Sequence, residues 1–163
     1  VFERIIPPKV YDDLLGKPWR ETGCYDLAVE VYRRLGLPIE RDPARLLAAC
    51  AWSPVNLEDI EAGDLVLCAE DTPGVVDHVA VYIGERRILH SHRNHGVIVS
   101  RLGAYERAGR VMRAVRPKAA DPLGIERTRD GVTIVEVPDA FDPSARTVVV
   151  CAFTEGATVA DYA

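Results

Sequence analysis

No stretch of this chain approaches the roughly 20 consecutive apolar residues that a membrane-spanning helix needs. The opening Val1-Phe2-Glu3-Arg4-Ile5-Ile6-Pro7-Pro8 also lacks the basic-then-apolar layout of a secretory signal. There is no initiating Met, so a start trimmed from something longer is expected. Basic residues are in deficit: 20 Lys and Arg against 25 Asp and Glu leave a net charge of −5 and a pI near 5.4. That balance gives no general attraction to nucleic acid or to anionic membranes, so neither nucleic-acid recognition nor membrane insertion is expected. CxxC pairs are missing too. Cys24, Cys50, Cys68 and Cys151 are scattered and read as free, mostly buried thiols rather than as a disulfide framework.

What is present is enough apolar side chain, 48% of 163 residues, for one main core and a smaller appendage. The early part of the chain reads as helical. Val10, Tyr11, Leu14 and Leu15 suggest a short helix stopped by Gly16 and Pro18. Cys24, Leu27, Ala28, Val31, Tyr32 and Leu35 then fall on one helical face, while Asp26, Glu30, Arg33 and Arg34 take the other, and Gly36 with Pro38 ends the run. Asp42-Pro43 opens a further helix that continues from Ala44 to Ala51.

From Gly63 the pattern turns to strands: 64–68, 78–84, 87–91, 97–100 and 111–115, with a hairpin tip at Arg93-Asn94-His95-Gly96. Helices first and a strand meander afterwards predict an α+β domain with N-terminal helices packed on an antiparallel sheet of about five strands. Pro117 to Pro122 marks a boundary, which divides the chain into a domain over 1–117 and a β-rich extension over 118–163. The extension's strands, Val132 to Val137 and Thr147 to Ala152, are too short to stand alone and must pack on the first domain or on a partner.

Cys24 opens its helix, where unpaired backbone N–H groups and the positive end of the helix dipole favour thiolate over thiol. A cysteine nucleophile needs a base, and the base needs a third polar group to hold its imidazole. His78 and His90 supply both on separate strands. Pairing the two directly across a hairpin centres its turn on Gly84, with both rings at the open end on one face. His90, His92 and His95 raise a zinc reading, but no carboxylate or cysteine is spaced along the chain to complete a ligand set. Asp64 reads as a strand-start residue, and Arg86, Arg87 and Arg93 as solvated hairpin residues that could also meet acidic peptide carboxylates.

Thr22-Gly23-Cys24-Tyr25-Asp26-Leu27, Ala62-Gly63-Asp64-Leu65-Val66, His78-Val79-Ala80-Val81-Tyr82-Ile83-Gly84 and Ile88-Leu89-His90-Ser91 occur in this order. Together they resemble the NlpC-type cell-wall peptidases, a papain-like group that cuts peptidoglycan stem peptides, over about Tyr11 to Val115. The resemblance implies Cys24 as nucleophile, His78 as general base and His90 as the residue that orients His78, with no metal or organic cofactor. This chain has Gly23 where the family usually has Asp and Asp26 where it has a small residue, and Trp19 stands where an upstream Tyr helps the oxyanion. Trp19 would donate its indole N–H in that place, and Trp19, Tyr25 and Tyr82 would line the oxyanion site and cleft.

Gly16-Lys17-Pro18-Trp19 and the Cys24-Tyr25 pair resemble the peptidases of bacteriophage tail tips more than secreted housekeeping hydrolases. That likeness implies a virion-tail location, or else an extracellular or cell-wall one. It further implies stem peptide as substrate and other tail-tip proteins as partners through the extension. Two alternatives stay open: a structural tail protein that has lost catalysis, and a papain-like wall amidase.

Overall fold

The computed structural model describes residues 4–37, 39 and 53–116, together with the backbone of strands over 126–129, 132–138 and 146–152. Helix α1 (Cys24–Leu35) carries the expected amphipathic face, burying Cys24, Tyr25, Leu27, Ala28, Val31 and Tyr32. Gly36, in the left-handed conformation at φ 71°, ends it by donating back to Tyr32 and Arg33. Arg33 and Arg34 in the last turn complement the helix dipole. Arg34 also ties the leading segment to the helix, donating to Asp13 at 2.6 Å and to the Val10 carbonyl at 2.8 Å. That leading segment is two single 3₁₀ turns, Pro8–Val10 and Asp12–Leu14, rather than the one short helix expected. The helix expected over Asp42 to Ala51 lies outside the described residues.

Strands β1 (Ser53–Val55), β2 (Leu65–Cys68), β3 (Val75–Val76), β4 (His78–Gly84), β5 (Arg87–His92), β6 (Gly96–Arg101) and β7 (Val111–Arg116) follow, with helix α2 (Leu102–Arg107) between the last two. Six of them form one antiparallel sheet in the order β1-β7-β2-β4-β5-β6. This is the expected α+β class with one more strand than the pattern predicted, because β1 is only three residues long. β4 is buried along its whole length. Val79, Val81 and Ile83 join the core under α1, whereas Ala80 and Tyr82 join Leu102 and Tyr105 on the opposite face. Asp64, 3% exposed, starts β2 as a structural residue: its carboxylate takes two bonds from the Arg116 guanidinium at 2.9 Å, fastening β2 to the end of β7.

The β4–β5 hairpin departs from the expected register. Val81 stands opposite Leu89 and Tyr82 opposite Ile88, so one residue on His90 faces Ala80 and not His78. The turn is made by Glu85 and Arg86, both with positive φ (54° and 58°), and a bulge before Gly84 absorbs the extra residue. The chain tolerates this turn because the Arg86 N–H donates to the Tyr82 hydroxyl at 3.0 Å and its guanidinium bonds Glu106.

Strands β8 (Glu126–Arg129), β9 (Val132–Pro138) and β10 (Arg146–Ala152) build a second sheet with β3, in the order β3-β10-β9-β8. β10 runs parallel to β3, Val150 beside Val75 and Cys151 beside Val76. The extension thus adds strands to a segment that ends two residues before His78.

Gly96 begins β6 where the leading segment crosses it. The Val97 N–H donates to Lys17 O and the Gly16 N–H to Val97 O, both at 2.9 Å. A Cβ on Gly96 would stand 2.3 Å from Lys17 O, while one on Gly109, at the same φ of 69°, would meet nothing within 4 Å. Gly96→Ala is expected to lower stability by about 1–3 kcal/mol more than Gly109→Ala in urea unfolding. Equal losses at the two sites would contradict this crossing.

Candidate active site

The candidate residues lie on three elements, α1, β4 and β5. Cys24 is the first residue of α1, and Gly23 before it is extended and makes no side-chain cap. Backbone N–H groups of Tyr25 and Val79 approach the Cys24 sulfur. Val79 follows His78 directly, so the helix tip meets β4 at the residue after His78.

His78 and His90 are 4% and 0% exposed, and His78 Nε2 lies 2.7 Å from His90 Nδ1. The rings meet edge to face at 79° with centroids 4.9 Å apart. Since His90 is offset from His78 by two residues along the hairpin, the contact is a diagonal one across the strands. The expectation that the two imidazoles share a hydrogen bond holds, while the direct pairing does not. With Nε2 engaged, Nδ1 is the His78 nitrogen left for a proton from a thiol.

Around this pair the backbone is held by side chains that sequence reasoning had not singled out. Ser91, buried and pointing to the other side of β5 from His90, donates its hydroxyl to the Thr22 carbonyl two residues before Cys24. Asp77, next to His78, accepts the N–H groups of Glu70 and Asp71 at 2.6 and 2.9 Å and closes the loop after β2. Glu70 in turn accepts from His92 Nε2 at 3.0 Å and from the Tyr105 hydroxyl at 2.9 Å, and the Tyr105 ring packs edge-on against His90. Ser100 Oγ lies 2.7 Å from His90 Nε2. The β5–β6 register, with Ile98 opposite His90, was the one available signal for Ser100, two residues further along the same face.

The aromatic residues expected in the cleft separate. Trp19 is half-buried with Arg93 over its ring at 5.5 Å, at the tip of the β5–β6 hairpin, and Arg93 also reaches Asp71 at 3.1 Å. Tyr25 is 6% exposed and belongs to the core under α1. Tyr82 is 1% exposed, at the far end of β4 from His78, with its hydroxyl committed to the hairpin turn. Neither tyrosine is a cleft wall, because both rings face packed core. Among the described residues no three His, Cys, Asp or Glu side chains converge in a metal-holding group; His92 is turned to Glu70 instead.

The family model that matches is the NlpC/P60 family, over residues 14–116. The chain belongs to the NlpC/P60 family. Similar solved structures carry the same fold. An NlpC/P60 family protein from Bacillus cereus is 23% identical with a TM-score of 0.53, covering 69% of this chain and 40% of its own. A Staphylococcus aureus protein of the Nlp/P60 family, similar to a lipoprotein, is 22% identical with a TM-score of 0.52, covering 66% and 39%. The NlpC/P60 domain of the peptidoglycan hydrolase SagA is 20% identical with a TM-score of 0.51, covering 67% and 94%. This chain thus spans about two fifths of the first of these relatives. No curated protein sequence matches it significantly. No helix among the described residues is long and apolar enough to cross a membrane.

The electrostatics of this NlpC/P60 site reverse one expectation. Burial pushes the Cys24 thiol up to about 11, outweighing the N–H groups of Val79 and Tyr25 that pull it down. Burial likewise holds His78 well below 6.5 and His90 down to about 4, helped in both by nearby positive charge. The helix tip and burial therefore pull the Cys24 thiol in opposite directions, and burial is the larger influence. Iodoacetamide labelling of Cys24, followed by peptide mass spectrometry, is expected to accelerate steadily to pH 10 and beyond, since only the thiolate reacts. A rate that levels off by pH 7 would mean a preformed thiolate–imidazolium pair and would overturn this account.

Proposed function

We propose that this protein is a cysteine peptidase that hydrolyses an amide bond in peptidoglycan stem peptides. The observation that carries the reading is the helix-tip thiol of Cys24 set against the start of β4, with His78 Nε2 bound to His90 Nδ1 at 2.7 Å. In that arrangement His78 Nδ1 takes the Cys24 proton as the sulfur attacks the peptide carbonyl. The same nitrogen then protonates the leaving amine as the C–N bond breaks, and water releases the acyl group from sulfur. N–H groups in the uncapped first turn of α1 are the donors nearest the developing oxyanion, so the scheme does not need an indole at Trp19.

The likeness in fold to the NlpC/P60 domain of the peptidoglycan hydrolase SagA supports the substrate class. The finer placement, a bacteriophage tail tip where the enzyme opens the wall locally, rests on the likeness of residues 16–19 and 24–25 to tail-tip peptidases. The strand addition of β10 to β3 supports an extension over 118–163 that stays fixed to the peptidase while meeting tail proteins.

Incubation with purified peptidoglycan is expected to release peptides cut within the stem, with Cys24→Ala lowering the rate by roughly 10³-fold or more. Sugar freed from intact peptide would make the protein an amidase. Release unchanged in Cys24→Ala would leave only a structural role for the fold.

A further inference from the structure

His90 makes two short contacts in opposite directions: Nδ1 to His78 Nε2 and Nε2 to Ser100 Oγ, each at 2.7 Å. A neutral imidazole carries one proton, so one of its nitrogens donates while the other accepts. The Ser100 hydroxyl can donate or accept, so the requirement at His78 decides which nitrogen of His90 donates. If His78 is to offer its Nδ1 lone pair to a thiol, its proton sits on Nε2 and points at His90. His90 Nδ1 must then accept, and the His90 proton is left on Nε2. That N–H is buried with a ring wholly shielded from solvent, and burying it without an acceptor is costly. Ser100, on β6 two residues beyond the partner of His90, provides the oxygen.

We infer that Ser100 is a positioning residue that lets His90 keep its proton on Nε2 and, through it, lets His78 do the same. This rests on the reading of Cys24 and His78 as nucleophile and base. The hydroxyl accepts from His90 Nε2–H, His90 Nδ1 accepts from His78 Nε2–H, and of the two unprotonated nitrogens His78 Nδ1 is the one that the chain does not use. Without the Ser100 oxygen, that state leaves the His90 Nε2–H with no acceptor from Ser100, and the inverse state becomes the lower-cost one. His90 then carries its proton on Nδ1 and donates it to His78 Nε2, and the proton of His78 moves to Nδ1, the nitrogen that has to receive one.

The test is nitrogen NMR of the full chain with labelled histidine, on the parent, Ser100→Ala and Ser100→Thr, alongside kcat on peptidoglycan fragments. Parent and Ser100→Thr are expected to show His90 and His78 both protonated on Nε2, and Ser100→Ala to show both moved to Nδ1. In Ser100→Ala kcat is expected to fall roughly 10- to 100-fold with KM little changed, and Ser100→Thr to restore it. A parent protein with His90 protonated on Nδ1 overturns the inference whether or not the alanine variant folds. So does a Ser100→Ala protein whose tautomers match the parent. Parent tautomers as expected in a protein without Cys24-dependent cleavage would sink the peptidase reading and leave the role of Ser100 standing.

Discussion

A single hydrogen bond between two buried imidazoles, His78 Nε2 to His90 Nδ1, is the constraint on which the rest of this structure turns. A histidine shut away from water has no solvent to satisfy its second nitrogen, so a neighbour must do it or the burial costs several times the thermal energy. Here the neighbour is another histidine, itself neutral because burial holds it down to about 4. A neutral orienting group gives direction without giving charge. His78 therefore gains no carboxylate to stabilise its protonated form, and Cys24, raised to about 11, gains no standing imidazolium to keep it ionised. The geometry suits proton transfer during attack rather than an ion pair waiting beforehand.

Holding a helix tip against the start of a strand, here at Val79, asks for more than packing. The core under α1 supplies the contact area, through Leu27, Val31, Val79 and Val81. Registry comes from polar ties at the margins. Ser91 fixes the Thr22 carbonyl from β5, the crossing at Gly96 and Lys17 fixes the approach to the helix, and Asp77 fixes the loop before His78. Each tie lies within a few residues of Cys24 or His78, so an error in any of them moves a reacting group rather than a remote surface.

The helix, the sheet and the closeness of His78 to His90 were legible because they depend on periodicity and on order along the chain. Cys24 to Leu35 keeps its apolar face, and His78 and His90 fall near strand ends, facts that need no tertiary knowledge. The hairpin register was not legible, because Gly84 is the obvious turn residue and the turn instead uses Glu85 and Arg86 at positive φ, supported by Tyr82 and Glu106 from elsewhere. Tyr25 and Tyr82 were misplaced for a related reason: an aromatic beside a catalytic motif reads the same in sequence whether its ring faces a cleft or a core. Ser100 and Ser91 belong to diagonal and face-to-face contacts that emerge only once strands are paired. The thiol's shift ran opposite to the helix-tip argument because the depth of burial is a property of the packed molecule.

The most direct test is the reactivity of the thiol towards an electrophile that resembles its substrate. A chloromethyl ketone built on a stem-peptide fragment should label Cys24 in the parent protein. Its rate should fall by roughly 10²-fold or more in His78→Ala, because the proton then has no base to go to. Labelling of Cys24 at an undiminished rate in His78→Ala would contradict the account, as would labelling of Cys68 instead.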